Sequence, residues 1–88
     1  MQQRTCLYAA QNEPDWEPGA WGRWRHGGWY VGNLHYPSGA VGCVSNNYPD
    51  KKWRIACDPR PFDMQPTFHN RRAAAIGERN LILSLNDA

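Results

Sequence analysis

The sequence predicts an α+β fold: a small antiparallel β-meander of three to four strands packed on one C-terminal α-helix. Three observations predict it. Between residues 28 and 57, short runs of β-branched and aromatic residues alternate with clusters of Gly, Pro, Asn and Asp, the pattern of strands joined by tight turns. From Asn70 onward the chain becomes alanine-rich and places small and apolar residues at helical spacing. At 88 residues there is room for one domain and one core.

Residues 4–10, RTCLYAA, read as a short first strand, and QNEPDWEPGAWG after them reads as a loop or an arm across the surface. Residues 1–27 are thus an N-terminal strand followed by a Pro- and Trp-rich arm, and 28–57 are the meander. In the meander, GWYVGNLHY breaks at Pro37-Ser38-Gly39, where Pro second and Gly fourth suit a type I turn. AVGCVS follows, then the longer turn NNYPDKK, then WRIAC. Three prolines make 58–69 a loop, and 70–85 are the helix.

Pairing parity assigns the faces. Closing the second hairpin about NNYPD puts Val41, Cys43, Trp53, Ile55 and Cys57 on one buried apolar face, with Arg54, Gly42 and Ala56 on the other. In the first hairpin a one-residue shift decides between Tyr30, Leu34 and Tyr36 or Trp29, Val31 and His35 as core residues; the first set is favoured here. Asn70 is a good helix N-cap. Ala74, Gly77, Leu81 and Leu85 form a stripe that lets the helix lie on the sheet. Leu81, Ile82, Leu83 and Leu85 point in nearly every direction around that helix. Either a second copy of the chain covers the outer side, giving a homodimer, or the N-terminal segment does.

Composition narrows the function. Aromatics make up 12% of the residues and five are Trp, so a few large rings carry much of the burial. No apolar run approaches the roughly 20 residues of a membrane span, and MQQRTCLYAAQNEP lacks a signal-peptide pattern. Cys6, Cys43 and Cys57 are odd in number with no CxxC pair, which points to a reducing, cytoplasmic setting and to cysteines used as small buried hydrophobes. His26, His35 and His69 do not fall at zinc-ligand spacings, so no metal and no cofactor is expected. A Gly-rich phosphate loop and a nucleophile elbow are both missing, and catalysis is not expected.

Charge is uneven. Residues 21–60 carry Arg23, Arg25, Lys51, Lys52, Arg54 and Arg60 against Asp50 and Asp58, and the same stretch holds four of the five tryptophans. Rings beside cations suit a nucleic acid, with bases stacking on a ring such as Trp29 while arginines neutralise phosphate. The same composition also suits Trp21, Trp24 and Trp29 patching a thin core, with arginines stacked on their outer edges. Arg71 and Arg72 sit at the positive end of the helix, where an anion would explain them, although solvated arginines are the commoner case. The candidate site is therefore Arg23, Arg25, Trp29, Lys51, Lys52, Arg54, Arg71 and Arg72.

With KKWRI as a sheet strand and TFHNRRAAAIGERN as the helix, residues 28–85 resemble the three-strand-plus-helix DNA-binding domains of the AP2 type and of some integrase N-termini. The resemblance implies an exposed sheet face entering the major groove. By position only Arg54, Lys52 or Trp29 would serve there, and Leu34 and His35 stand where that family has first-strand arginines. A nucleic acid is thus the expected partner. The alternative is a larger protein or nucleoprotein, bound stoichiometrically as by phage- or plasmid-encoded inhibitors of host defence such as anti-CRISPR proteins, because Trp and Arg dominate binding hot spots.

Overall fold

Each β-rich run between 28 and 57 pairs with its neighbour in the computed structural model, which describes residues 10–86. Four strands, β1 (Trp21–Trp24), β2 (Gly28–His35), β3 (Val41–Ser45) and β4 (Arg54–Ile55), form one antiparallel sheet in sequence order. The helix α1 (Arg71–Asn86) packs across one face, and a single 3-10 turn (Phe62–Met64) lies in the connecting loop. The expected strand at 4–10 falls outside the described residues except for Ala10, which is helical together with Gln11.

The fourth strand of the sheet lies where an arm was expected. WGRW pairs with GWYV through Arg23↔Trp29 and Trp24↔Gly28. The chain reverses over Arg25, His26 and Gly27, with φ of 53° at Arg25 and 78° at Gly27. Gly27 takes that left-handed conformation freely, whereas Arg25 is held in it. The other local signals form as expected. Gly39 N–H donates to Tyr36 O at 2.8 Å to close the PSG turn, and Asn70 Oδ1 accepts from Ala73 N–H at 2.7 Å to cap α1.

The face assignment has to be corrected. Observed pairs are Val44↔Ile55 and Ser45↔Arg54, so Cys43 lies on the face opposite Ile55 rather than beside it. The reason is the centre of the turn. Lys51 N–H donates to Tyr48 O at 2.9 Å, placing Pro49 and Asp50 at the middle, where the sequence reading had centred the loop on Tyr48. A four-residue turn there reverses the parity of every residue in the pair.

In the first hairpin Trp29 pairs with Val44 and Val31 with Gly42, which puts Trp29 and Val31 under the helix. Tyr30 faces the other way and is 37% exposed. An irregularity between Val31 and His35 brings Leu34 back to the helix side, and Tyr36 packs against the same core, so two members of the favoured set belong to it after all. Gly42, expected beside Arg54, is instead on the helix side.

The core is thin. Val31, Leu34, Val44, Ala74, Ala75 and Ile82 are fully buried, with Trp16, Trp21, Trp29, Tyr36, Trp53 and Phe68 packed against them. Each large aliphatic side chain so buried contributes on the order of 2 kcal/mol. The buried face of α1 runs through Ala74, Ala75, Glu78 and Ile82, rotated from the expected stripe, and leaves Leu85 48% exposed. Gly77 accommodates the Phe68 ring instead: a Cβ there would lie 2.3 Å from Phe68 Cζ.

One flank of α1 holds the N-terminal segment. Arg79 donates to the carbonyls of Gln11 and Glu13 at 2.7 Å, and Arg72 pairs with Glu17 at 2.7 Å. The Gln11 side chain in turn closes on the backbone N–H and C=O of His35. No helix among the described residues is long and apolar enough to cross a membrane.

Candidate functional site

The arginines divide into two groups. Arg54 is only 5% exposed; its guanidinium donates to both Asp50 oxygens at 2.8 Å and lies 5.1 Å from the Tyr48 ring and 4.1 Å from the Phe62 ring. This pairing holds the Asp50 carboxyl well below the ordinary carboxylate range. Arg60 pairs with Asp58 and Arg72 with Glu17, and each lowers its partner's carboxyl in the same way. Arg54 is a buried strut between strand and loop, and Arg72 meets its anion within the chain.

The second group lies outside these ion pairs. Among the described residues, none of Arg23, Arg25, Lys51, Lys52 and Arg71 sits in an ion pair. Arg71 lies 4.0 Å from the Trp21 ring and 4.5 Å from that of Trp29, and Arg23 lies 5.2 Å from the Trp29 ring. Trp29 is thus half-buried beneath α1, not displayed on an open face beside Arg54. These stacked arginines match the core-patching alternative for Trp21 and Trp29.

The open face has a different composition. The pairs Gly22↔Tyr30 and Trp24↔Gly28 continue to Cys43 and Ser45 in β3. Gly28 lets the Trp24 ring lie down on the sheet, since a Cβ at Gly28 would come within 2.4 Å of Trp24 Cε3. Trp24 and Tyr30 form a tilted ring pair 6.1 Å apart, and Arg25 stacks 5.1 Å from Trp24. Between the β1–β2 turn and the β3–β4 loop lies a polar cavity of about 200 Å³. The rings Trp24 and Tyr48 and the polar residues Arg25, His26, Ser45 and Asn47 are among those that line it.

Of the eight residues expected at the site, Arg25, Lys51 and Lys52 lie at this end of the sheet. Arg23, Trp29 and Arg71 cluster on the helix side. Trp24, His26, Asn47 and Tyr48 were not anticipated; the alternation of WGRW against GWYV was the signal that could have placed Trp24 opposite the helix.

Two buried groups complete the polar map. Glu78 accepts from Cys43 N–H at 2.9 Å and from the Tyr36 hydroxyl, and burial pushes its carboxyl up to about 7. Burial likewise pushes the Cys43 thiol up to about 12, which leaves it unsuited to nucleophilic chemistry. Cys43 and His35 are not cross-strand neighbours either, their partners being Tyr30 and Val41. No protein-family model matches this chain, and neither does any curated protein or solved structure.

Proposed function

We propose that the chain is a non-enzymatic nucleic-acid-binding module that takes single-stranded segments at the open-face end of its sheet. One observation carries this reading: a base-sized polar hollow lined by Trp24 and Tyr48 together with Arg25, His26 and Asn47, with no carboxylate residue in its lining. Single-stranded recognition combines stacking on aromatic faces with hydrogen bonds to base edges and cations along the backbone. Trp24 and Tyr48 supply rings, His26 and Asn47 donors and acceptors, and Arg25, Lys51 and Lys52 the phosphate contacts. Arg54 is left out, because removing it from Asp50 would cost the loop its strut. The groove-reading geometry of the AP2 type, which leans on Arg54, is correspondingly less favoured.

A cytoplasmic setting goes with this reading, since Cys43 and Cys57 are free thiols. A second reading, a stoichiometric binder of a larger protein, draws on the Arg23–Trp29–Arg71 stack, because Trp and Arg dominate hot spots. Fluorescence anisotropy with labelled single-stranded DNA, RNA and duplex at low salt separates the two. Binding to single strands that Trp24→Ala and Arg25→Ala weaken supports the proposal. An absence of binding to all three probes at about 50 mM salt sinks it and leaves the protein partner.

A further inference from the structure

Beyond β4 a second hollow, of about 450 Å³, is lined by Lys52, Thr67, Phe68, His69 and Ala73. Its shape follows from one local pairing. Trp53 and Phe68 exchange backbone hydrogen bonds of 2.9 and 3.3 Å, which brings 67–69 alongside 52 and 53 just before Asn70 starts the helix. Phe68 is held in place on its other side by Gly77, where only a hydrogen fits against the ring. An aromatic ring and a methyl group therefore form the apolar part of the hollow. Its polar lining residues are Lys52, His69 and Thr67, with no Asp or Glu among them.

An apolar surface beside a lysine that forms no ion pair among the described residues suits a flat ring that carries an anion. We infer that this hollow binds a nucleoside monophosphate unit, its base against Phe68 and Ala73 and its phosphate on Lys52. The inference rests on the nucleic-acid reading above and extends it. The β3–β4 loop separates the two hollows, with Tyr48 walling the first and Lys52 lining the second. A strand seated in the first would cross Lys51 and Lys52 to place a further nucleotide in the second.

Titration of the ¹⁵N-labelled chain with adenosine monophosphate tests this, followed at the backbone amides of Phe68, His69 and Ala73. Saturable shifts at these three are expected. Lys52→Ala should weaken them about tenfold, the loss of one charge-assisted contact, and Ala73→Leu should abolish them by filling the hollow. Adenosine without its phosphate should also bind about tenfold more weakly. No shift at residues 68, 69 and 73, shifts that survive Ala73→Leu, or equal binding by N-acetylphenylalanine would each overturn the inference. A single-stranded oligonucleotide that still shifts Arg25, His26 and Asn47 in those cases shows that only the second site has failed. Loss of both responses means that the nucleic-acid reading itself is wrong.

Discussion

Glu78 on α1 lies directly against Gly42 of β3: a Cβ at Gly42 would sit 2.9 Å from Glu78 Oε1 and 3.0 Å from Leu34 Cδ2. The missing side chain makes room for a carboxylate inside the sheet–helix interface. β4 ends at Ile55, opposite Val44, and the N–H of Cys43 donates to Glu78 instead of to a strand. Sequence, register and burial meet at this contact, and it has a thermodynamic signature.

That signature is a loss of stability as pH rises. The unfolded chain releases the Glu78 proton near 4.5, whereas burial keeps it on the folded chain up to about 7. Between those values the folded state binds more protons, so stability is full below 4.5 and declines through 7, by about 3 kcal/mol in all. The lowered carboxyls of Asp50 and Asp58 act in the opposite sense and at lower pH, losing their contribution only as pH falls below the ordinary carboxylate range. Urea midpoints measured from pH 5 to 8 should therefore fall. Glu78→Gln, which can still accept from Cys43 N–H and donate to Tyr36 Oη, should flatten the decline. A wild-type midpoint that rises over this range contradicts the assignment.

Gly77 poses propensity against packing. Alanine in a helix interior is better than glycine by about 1 kcal/mol. At position 77, however, its Cβ would meet Phe68 Cζ at 2.3 Å and Cε1 at 2.6 Å, and the Trp53 pairing keeps Phe68 from moving away. Overpacking of this kind costs about 1–3 kcal/mol. Gly77→Ala should lower the unfolding midpoint, with part of the loss recovered when Phe68→Leu is added. A more stable single variant would show that Phe68 yields freely.

The signals that were legible in the sequence are local ones. Pro37 with Gly39, Asn70 ahead of the alanines, and the three β-rich runs each act over a few residues, and each forms where it was read. What was missed depends on partners far along the chain. β1 contains Gly22 and Arg23 and no aliphatic residue, so it carries no strand pattern by itself; Trp29 and Tyr30 across the turn make it one. Face parity turned on whether the β3–β4 turn centres at Tyr48 or between Pro49 and Asp50. Glu78, flanked by Gly77 and Arg79, reads as a surface residue, and only Gly42 on a different element explains its burial. Arg54 looked like an exposed cation because its neutralising partner, Asp50, lies across that same turn.

Of the two covers the sequence left open for the leucine-rich end, a second copy or the N-terminal segment, the contacts along α1 favour the segment. Ile82 is fully buried within one chain, and Arg79 fixes the Gln11–Glu13 segment along the flank of α1. Light scattering at micromolar concentration should give a mass near 10.1 kDa. A mass twice that would assign Leu85 and its surroundings to an interface between copies. Arg79→Ala should speed proteolytic cleavage within 10–17 while leaving the sheet's amide protection intact. Unchanged cleavage would mean that Trp16, Gln11 and the Arg72–Glu17 pair hold the segment without Arg79.

The last prediction separates the arginines that hold the fold from those that meet a ligand. Each phosphate neutralised on a single strand contributes about 0.7 to the slope of log affinity against log salt. Arg25, Lys51 and Lys52 sit in no ion pair among the described residues, so their charge is available to displace counterions. Replacing any one by alanine should reduce the slope by roughly that amount with little change in melting temperature. Arg54 is already neutralised by Asp50 and enclosed by Tyr48 and Phe62. Arg54→Ala should lower the melting temperature clearly, since it removes the guanidinium that bridges both Asp50 oxygens and opens the space between the two rings. Its salt slope, measured at a temperature where the variant is still folded, should match the wild type. A reduced slope for Arg54→Ala with an unchanged melting temperature would reverse the assignment and put Arg54 on the phosphate backbone.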